Sequence, residues 1–390
     1  MGRTPDQLGQ ARPYSLDELL GDDLELDELV TRALGHDGAG ATFEVVGYSF
    51  GSPATGGLYR LRGPQDPGWS IFCKVLQHPK HWPVLHLLPP SSQEQFLAEF
   101  PWRIELDLWE PAVLASLPAG VRAPELHRVI DLGDDRLAVW MEDVEESATP
   151  WDLDRYRRAA ELLGRWNARS RTAELLGPFP PGYALRMYAQ DAVVTRGLGP
   201  LGDDELWSHA WLAGHADLRA RLVALGQQIP ELLDRLDALP QAMPHGDASP
   251  QNLLVPASDP GTFVVIDVGM RTPHALGFDL GQLLVGLVHA GTVPASDLPA
   301  IADAILPAYV AGLAAEGDPT TPEQVREGFA ISAMLRSGFD SFLYDLLSDP
   351  TPDNEHCFAE RVALCRFLAE QLAATEELAA SRGEVEQPRD

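Results

Sequence analysis

The spacing of apolar positions divides the chain into a strand-rich front and a helical back. Ser15-Leu16-Asp17-Glu18 reads as a capping box opening a short helix. A second helical stretch, Leu26 to Leu34, stops at Gly35. From Phe43 the period shortens to two. Phe43–Gly47 and Leu58–Leu61 flank a turn of small residues and predict a hairpin. Trp69–Leu76, in WSIFCKVL, predicts a third strand. Val129–Leu132 and Arg136–Met141 predict another pair across Gly133-Asp134-Asp135. Between these groups, His78 to Pro90 holds four prolines and reads as an irregular insert. Helix is expected again near Gln93 and from Trp102 to Trp109, with a restart at Pro111.

After Asp143 helical spacing takes over. Tyr156, Ala159, Ala160, Leu163 and Trp166 share one face, and Leu222–Leu239 continues the pattern with a break at Pro230. One short β element interrupts, with Leu253–Val255 and Phe263–Ile266 on either side of Ser258–Gly261. Phe278 to Glu377 reads as about four helices. The expected organisation is a helical extension over 1–40, a β-rich lobe with one helix over 41–143, a helical lobe over 144–380 and a flexible tail over 381–390. This is an α+β, two-lobed arrangement, and clefts between such lobes are where ligands commonly bind.

Composition narrows the function. At 390 residues, with 45% apolar and 22% charged residues, the chain suits an ordinary globular protein of two or three units. A formal charge of −29 argues against a nucleic-acid partner, which needs a basic surface. It would attract cationic molecules, or simply aid solubility. No uninterrupted apolar run approaches a membrane span and the start lacks a signal-peptide core, so a cytoplasmic protein is expected. Cys73, Cys357 and Cys365 have no metal-ligand spacing and read as packed thiols. Of the 29 basic residues only two are lysines, Lys74 and Lys80. Lys74 interrupts an apolar strand, which calls for a reason.

The chemistry concentrates in His245-Gly246-Asp247-Ala248-Ser249-Pro250-Gln251-Asn252, which runs into the apolar Leu253-Leu254-Val255. Asp247 and Asn252 lie on a loop entering a strand, and Asp267 ends the strand that follows. A hairpin would bring Asn252 and Asp267 to neighbouring positions. An amide and a carboxylate oxygen suit a hard cation such as Mg²⁺, whose shell is completed by phosphates and water. Asp247 suits a second role, orienting a hydroxyl nucleophile and accepting its proton.

HGD-x4-N, the apolar strand pair and Ile266-Asp267 together resemble the catalytic signature of the aminoglycoside phosphotransferase-like family, which includes choline kinase-type enzymes and is related to protein kinases. Gly277-Phe278-Asp279-Leu280 resembles its downstream element, in which the aspartate braces the catalytic loop. The likeness extends in element order from about residue 41 to 345. It implies a protein kinase-like fold, ATP and Mg²⁺ as cofactors, and a lysine on the third strand gripping phosphates, here Lys74. Glu105 is the best match for the carboxylate that steadies that lysine, with Asp107 and Glu110 as rivals. Asn252 and Asp267 become the metal ligands and Asp247 the catalytic base. The turn around Ser49, Gly51 and Ser52 is placed over the phosphates, and Met141, Asp143 and Val144 at the adenine hinge. His245 reads as a loop brace. The sequence departs from the pattern in lacking a full G-x-G-x-x-G, in reading Ile-Asp-Val-Gly at Asp267, and in its long insert over 78–101.

The expected activity is transfer of the ATP γ-phosphate to a hydroxyl of a small molecule, an aminoglycoside-like antibiotic or a metabolite. Asp340, Asp345 and Asp349 are candidates for greeting a cationic acceptor. A peptide Ser/Thr kinase working with a partner protein, and a nucleotide-binding pseudokinase scaffold, are the alternatives. The absence of G-x-x-x-x-G-K-[ST] and of an opening strand–glycine–helix unit excludes P-loop and Rossmann enzymes.

Overall fold

A computed structural model describes residues 13–21, 24–48, 51–64 and 68–385. The chain forms two compact units. The first comprises residues 1–114, 122–147 and 255–269, and the second 115–121, 148–254 and 270–390.

The first unit is built on five antiparallel strands. These are β1 (Thr42–Val46), β2 (Thr55–Arg62), β3 (Ser70–Gln77) and, after the two-residue β4 (Val121–Arg122), β5 (Leu126–Gly133) and β6 (Arg136–Glu142). Their order in the sheet is β1-β2-β3-β6-β5. Alternation along β3 and β6 supplies a core to each face. Ile71, Cys73, Val75, Ala138 and Trp140 pack with Leu19, Leu20, Leu29 and Val30 from the helices Leu16–Leu20 and Leu26–Leu34. The indole N–H of Trp140 donates to the Leu19 carbonyl at 3.1 Å, so these first helices are part of the sheet's packing. Leu76, Leu137, Val139 and Met141 pack on the other face with Ala54 and Trp102. Lys74 has the same parity as Phe72 and Leu76. It lies opposite Leu58 on one side and Val139 on the other.

The insert after β3 is two short 3-10 turns followed by a helix, Pro90–Glu99. Its Lys80 bridges Asp134 at 2.8 Å and Asp135 at 2.7 Å. These aspartates form the β5–β6 turn with φ of 49° and 56°, a left-handed conformation that Asp tolerates. Trp102–Trp109, expected to be helical, is a tighter element: Ile104–Trp109 is a 3-10 helix, and a separate helix starts at Pro111. Proline favours the first turn of a helix and cannot continue one, so the segment stays short.

The second unit is helical. Its helices Leu153–Arg169 and Leu298–Ala315 cross in backbone contact, because Gly164 and Gly312 each face a backbone carbonyl of the other helix. A Cβ on Gly164 would lie 2.2 Å from the Tyr309 carbonyl oxygen, and one on Gly312 would lie 2.1 Å from that of Glu161. By length and composition alone Ala295–Ala315 would suffice to cross a membrane, at a mean hydropathy of 1.6. Here its Ile301, Ile305, Tyr309 and Leu313 are buried in the helical core. Phe278–His289, Pro322–Ala333 and Pro352–Val385 complete the main helices after residue 270, the last running into the stretch 381–390. A two-strand bridge that the sequence pattern does not predict, Gln241–Ala242 with His274–Ala275, ties the segment before His245 to the segment before Phe278.

Candidate active site

In the first unit three charged side chains converge. The Lys74 ammonium donates to both Glu105 carboxylate oxygens at 2.7 Å and to Asp267 Oδ1 at 3.0 Å. Lys74 and Glu105 are buried, whereas the Asp267 side chain remains 44% exposed. Burial opposes the lysine's charge, but Asp267 and Glu105 outweigh it and raise its pKa. Burial also raises the Glu105 pKa, and Lys74 pulls it back. Asp107, on the same 3-10 segment, and Glu110, which caps it, are both exposed, so the winding separates the paired carboxylate from its rivals. Asp267 has a φ of +59°, a left-handed conformation that aspartate adopts more readily than most residues.

Of the remaining candidates in this unit, Ser49 lies outside the described residues, while Gly51 and Ser52 sit in the turn leading into β2. Met141 is buried in β6. Asp143 accepts from Arg60 at 2.6 and 3.0 Å, and Val144 follows it outside the strand.

In the second unit the loop from His245 to Asn252 is held from below by Asp279, a fully buried residue at the start of Phe278–His289. Its carboxylate accepts from the backbone N–H groups of His245 at 3.0 Å and Gly246 at 2.9 Å, and from Asn167 Nδ2 at 3.0 Å. Gly246 takes a φ of +90°, and a Cβ there would stand 2.5 Å from the Met270 carbonyl carbon. The buried His245 ring packs edge-on against Trp166, and its Nδ1 accepts from the Asp247 N–H at 3.2 Å. Asn252 Nδ2 donates to the Asp247 carbonyl at 2.9 Å and to Asp247 Oδ2 at 3.2 Å. This leaves its amide oxygen, the atom suited to a cation, on the other side of the group.

Arg336 completes this half. It donates through Nη2 to Asp247 Oδ1 at 2.9 Å and through Nη1 to the Gly246 carbonyl.

No protein-family model and no curated protein matches this chain. Solved structures do. An aminoglycoside phosphotransferase from Alicyclobacillus acidocaldarius subsp. acidocaldarius aligns with a TM-score of 0.56 at 11% identity, over 96% of this chain and 100% of that one. A spectinomycin phosphotransferase, solved with ADP and spectinomycin, aligns with a TM-score of 0.50 at 14% identity, over 90% and 97%. This chain has the aminoglycoside phosphotransferase fold.

Within the aminoglycoside phosphotransferase fold, the first unit is the β-rich N-lobe and the second the helical C-lobe of a protein kinase-like architecture. Arg336 carries no sequence signal, being one arginine in a helical run with no motif around it. Asp340, a candidate contact for a cation by sequence, is already engaged: it accepts from Tyr188 at 2.9 Å and pairs with Arg196 at 2.7 Å. Asp349 accepts from the Asn354 side chain at 3.3 Å.

Proposed function

We propose that this protein is an ATP- and magnesium-dependent phosphotransferase that moves the γ-phosphate to a hydroxyl group of a small molecule. The observation that carries this reading is the buried Lys74 ammonium shared between Glu105 and Asp267. A lone buried lysine is costly, and one steadied by a carboxylate while facing a second, partly exposed one is suited to gripping phosphate oxygens.

Asp267 and Asn252 would hold the magnesium ion. Their donor set fits it, since magnesium takes few protein oxygens and fills its shell with phosphate and water. When bound, the ion offsets negative charge on the phosphates. Lys74 binds α- and β-phosphate oxygens, and Asp247 aligns the acceptor hydroxyl and takes its proton. Such catalysis rests mainly on positioning and electrostatics. Met141, Asp143 and Val144 serve as the adenine hinge, and the Gly51–Ser52 turn covers the phosphates.

For the acceptor, the two structural relatives support a hydroxylated small molecule such as an antibiotic. Because Asp340 is neutralised by Arg196, that run offers less to a polycation than its composition suggests. A cytoplasmic setting belongs to the same reading.

Calorimetric titration with ATP, with and without Mg²⁺, tests it. Magnesium-dependent binding in the wild type, with the dependence lost in Asp267→Ala, is the expected result. Absence of ATP binding under both conditions, or equal magnesium dependence in the variant, would overturn the assignment.

A further inference from the structure

Arg336 lies in Met334–Gly338, a π-helical turn at the end of the helix Pro322–Ala333. Such turns are rare and recur at functional sites, because the extra residue redirects a side chain. Three chain segments confine this one. Its guanidinium forks between the Gly246 carbonyl and Asp247 Oδ1, at 2.9 Å for the latter. It also lies over the Phe278 ring, 5.5 Å from the centroid, and Phe278 in turn stacks flat on His274 at 3.8 Å. The Arg336 side chain is 12% exposed against 30% for Asp247, so the cation is the buried member and the carboxylate the accessible one.

The division of the carboxylate is informative. Arg336 donates to Oδ1 at 2.9 Å, and Asn252 donates to Oδ2 at 3.2 Å. Asn252 is itself committed to the Asp247 backbone carbonyl at 2.9 Å. Consecutive acceptors, the carbonyl of Gly246 and the carboxylate of Asp247, are thus gripped by one planar group. A planar fork fixes both the position and the plane of what it binds; a lysine would supply charge at a single point.

We propose that Arg336 is a positioning residue for the base Asp247, holding Oδ1 and the preceding carbonyl so that the plane of the carboxylate is fixed for the acceptor hydroxyl. The inference rests on the phosphotransferase reading above and extends it to a residue outside the HGD-x4-N motif. A purely structural brace would account for the Gly246 contact alone. It would not require the second arm to lie on the carboxylate.

The test is magnesium-dependent ATP turnover with water as acceptor, followed as phosphate release, for the wild type, Arg336→Ala and Arg336→Lys. The expected result for Arg336→Ala is a fall of about 100-fold in kcat with KM for ATP within about threefold. About 20 mM guanidinium, far below denaturing concentrations, should restore a good part of the lost rate. Arg336→Lys should fold as the wild type does and remain about tenfold slow, since it keeps the charge and loses the fork. A wild type that releases no phosphate from ATP would remove the phosphotransferase reading and this inference with it. Turnover in the wild type with unchanged kcat in both variants would overturn the role of Arg336 alone. So would a loss that follows thermal destabilisation and ignores guanidinium.

Discussion

The Lys74 ammonium meets both carboxylate oxygens of Glu105 at 2.7 Å inside the first unit, with the two side chains contributed by β3 and by a 3-10 turn thirty-one residues later. Removing either partner strands a buried charge. Lys74→Met should destabilise the protein by about 3–5 kcal/mol, and Glu105→Gln by less, because Asp267 still faces the lysine. The double variant should recover part of the sum, a coupling of about 1–3 kcal/mol in urea denaturation. Additive losses would mean that the pair does not share its charge in solution.

Asp247→Asn preserves the shape of the side chain and an oxygen for Arg336 while removing the proton acceptor. Phosphate release from ATP should fall by about 10²–10⁴-fold, and ATP affinity should stay within about threefold. Steady-state kinetics beside calorimetry separates the two. A parallel loss of binding would place Asp247 in the nucleotide site instead.

Gly246→Ala should cost about 2–4 kcal/mol of stability. The added methyl must occupy space 2.5 Å from the Met270 carbonyl carbon at a φ of +90°, and backbone cannot yield as a flexible side-chain tip does. The shift would be read from the thermal midpoint. An unchanged midpoint would show that this loop relaxes freely.

Stability should decline as the solution is acidified through the imidazole range. The His274 pKa is pushed down to about 3, first by burial and then by the nearby Arg336 charge. His289 is lowered in the same direction, again chiefly by burial. An unfolded imidazole takes its proton near pH 6.5. Between about pH 6.5 and 3 the unfolded state therefore binds more protons, and each histidine removes up to about 1.4 kcal/mol per pH unit as pH falls. Above that window the contribution is complete. Urea midpoints from pH 7.5 to 5 check this, and His274→Gln should show the shallower slope.

The β3 position of Lys74 and the Asp247–Asn252–Asp267 spacing are written in local pattern, and so is the organisation into a strand-rich front and a helical back. Period-two alternation through Ile71, Cys73 and Val75 assigns a face to every neighbour, Lys74 included, before any folding is considered. A capping box at Ser15 and proline at the first turn of Pro111–Ser116 and Ile229–Ala238 mark helix starts for equally local reasons.

What the chain's own order could not decide is which distant group meets which. Glu105, Asp107 and Glu110 are equivalent on paper; the 3-10 winding of Ile104–Trp109 buries the first and exposes Asp107, and Glu110 follows the segment, exposed. Arg336 stands eighty-nine residues from Asp247, and its fork exists because a π-turn at Met334–Gly338 aims it at the loop. Asp340 reads as a free carboxylate until Arg196 and Tyr188 arrive from another helical segment. Local spacing sets backbone conformation and side-chain parity, which depend on near neighbours. Charge pairing depends on distances of a few ångströms between remote segments, and these exist only once the helices and strands have packed.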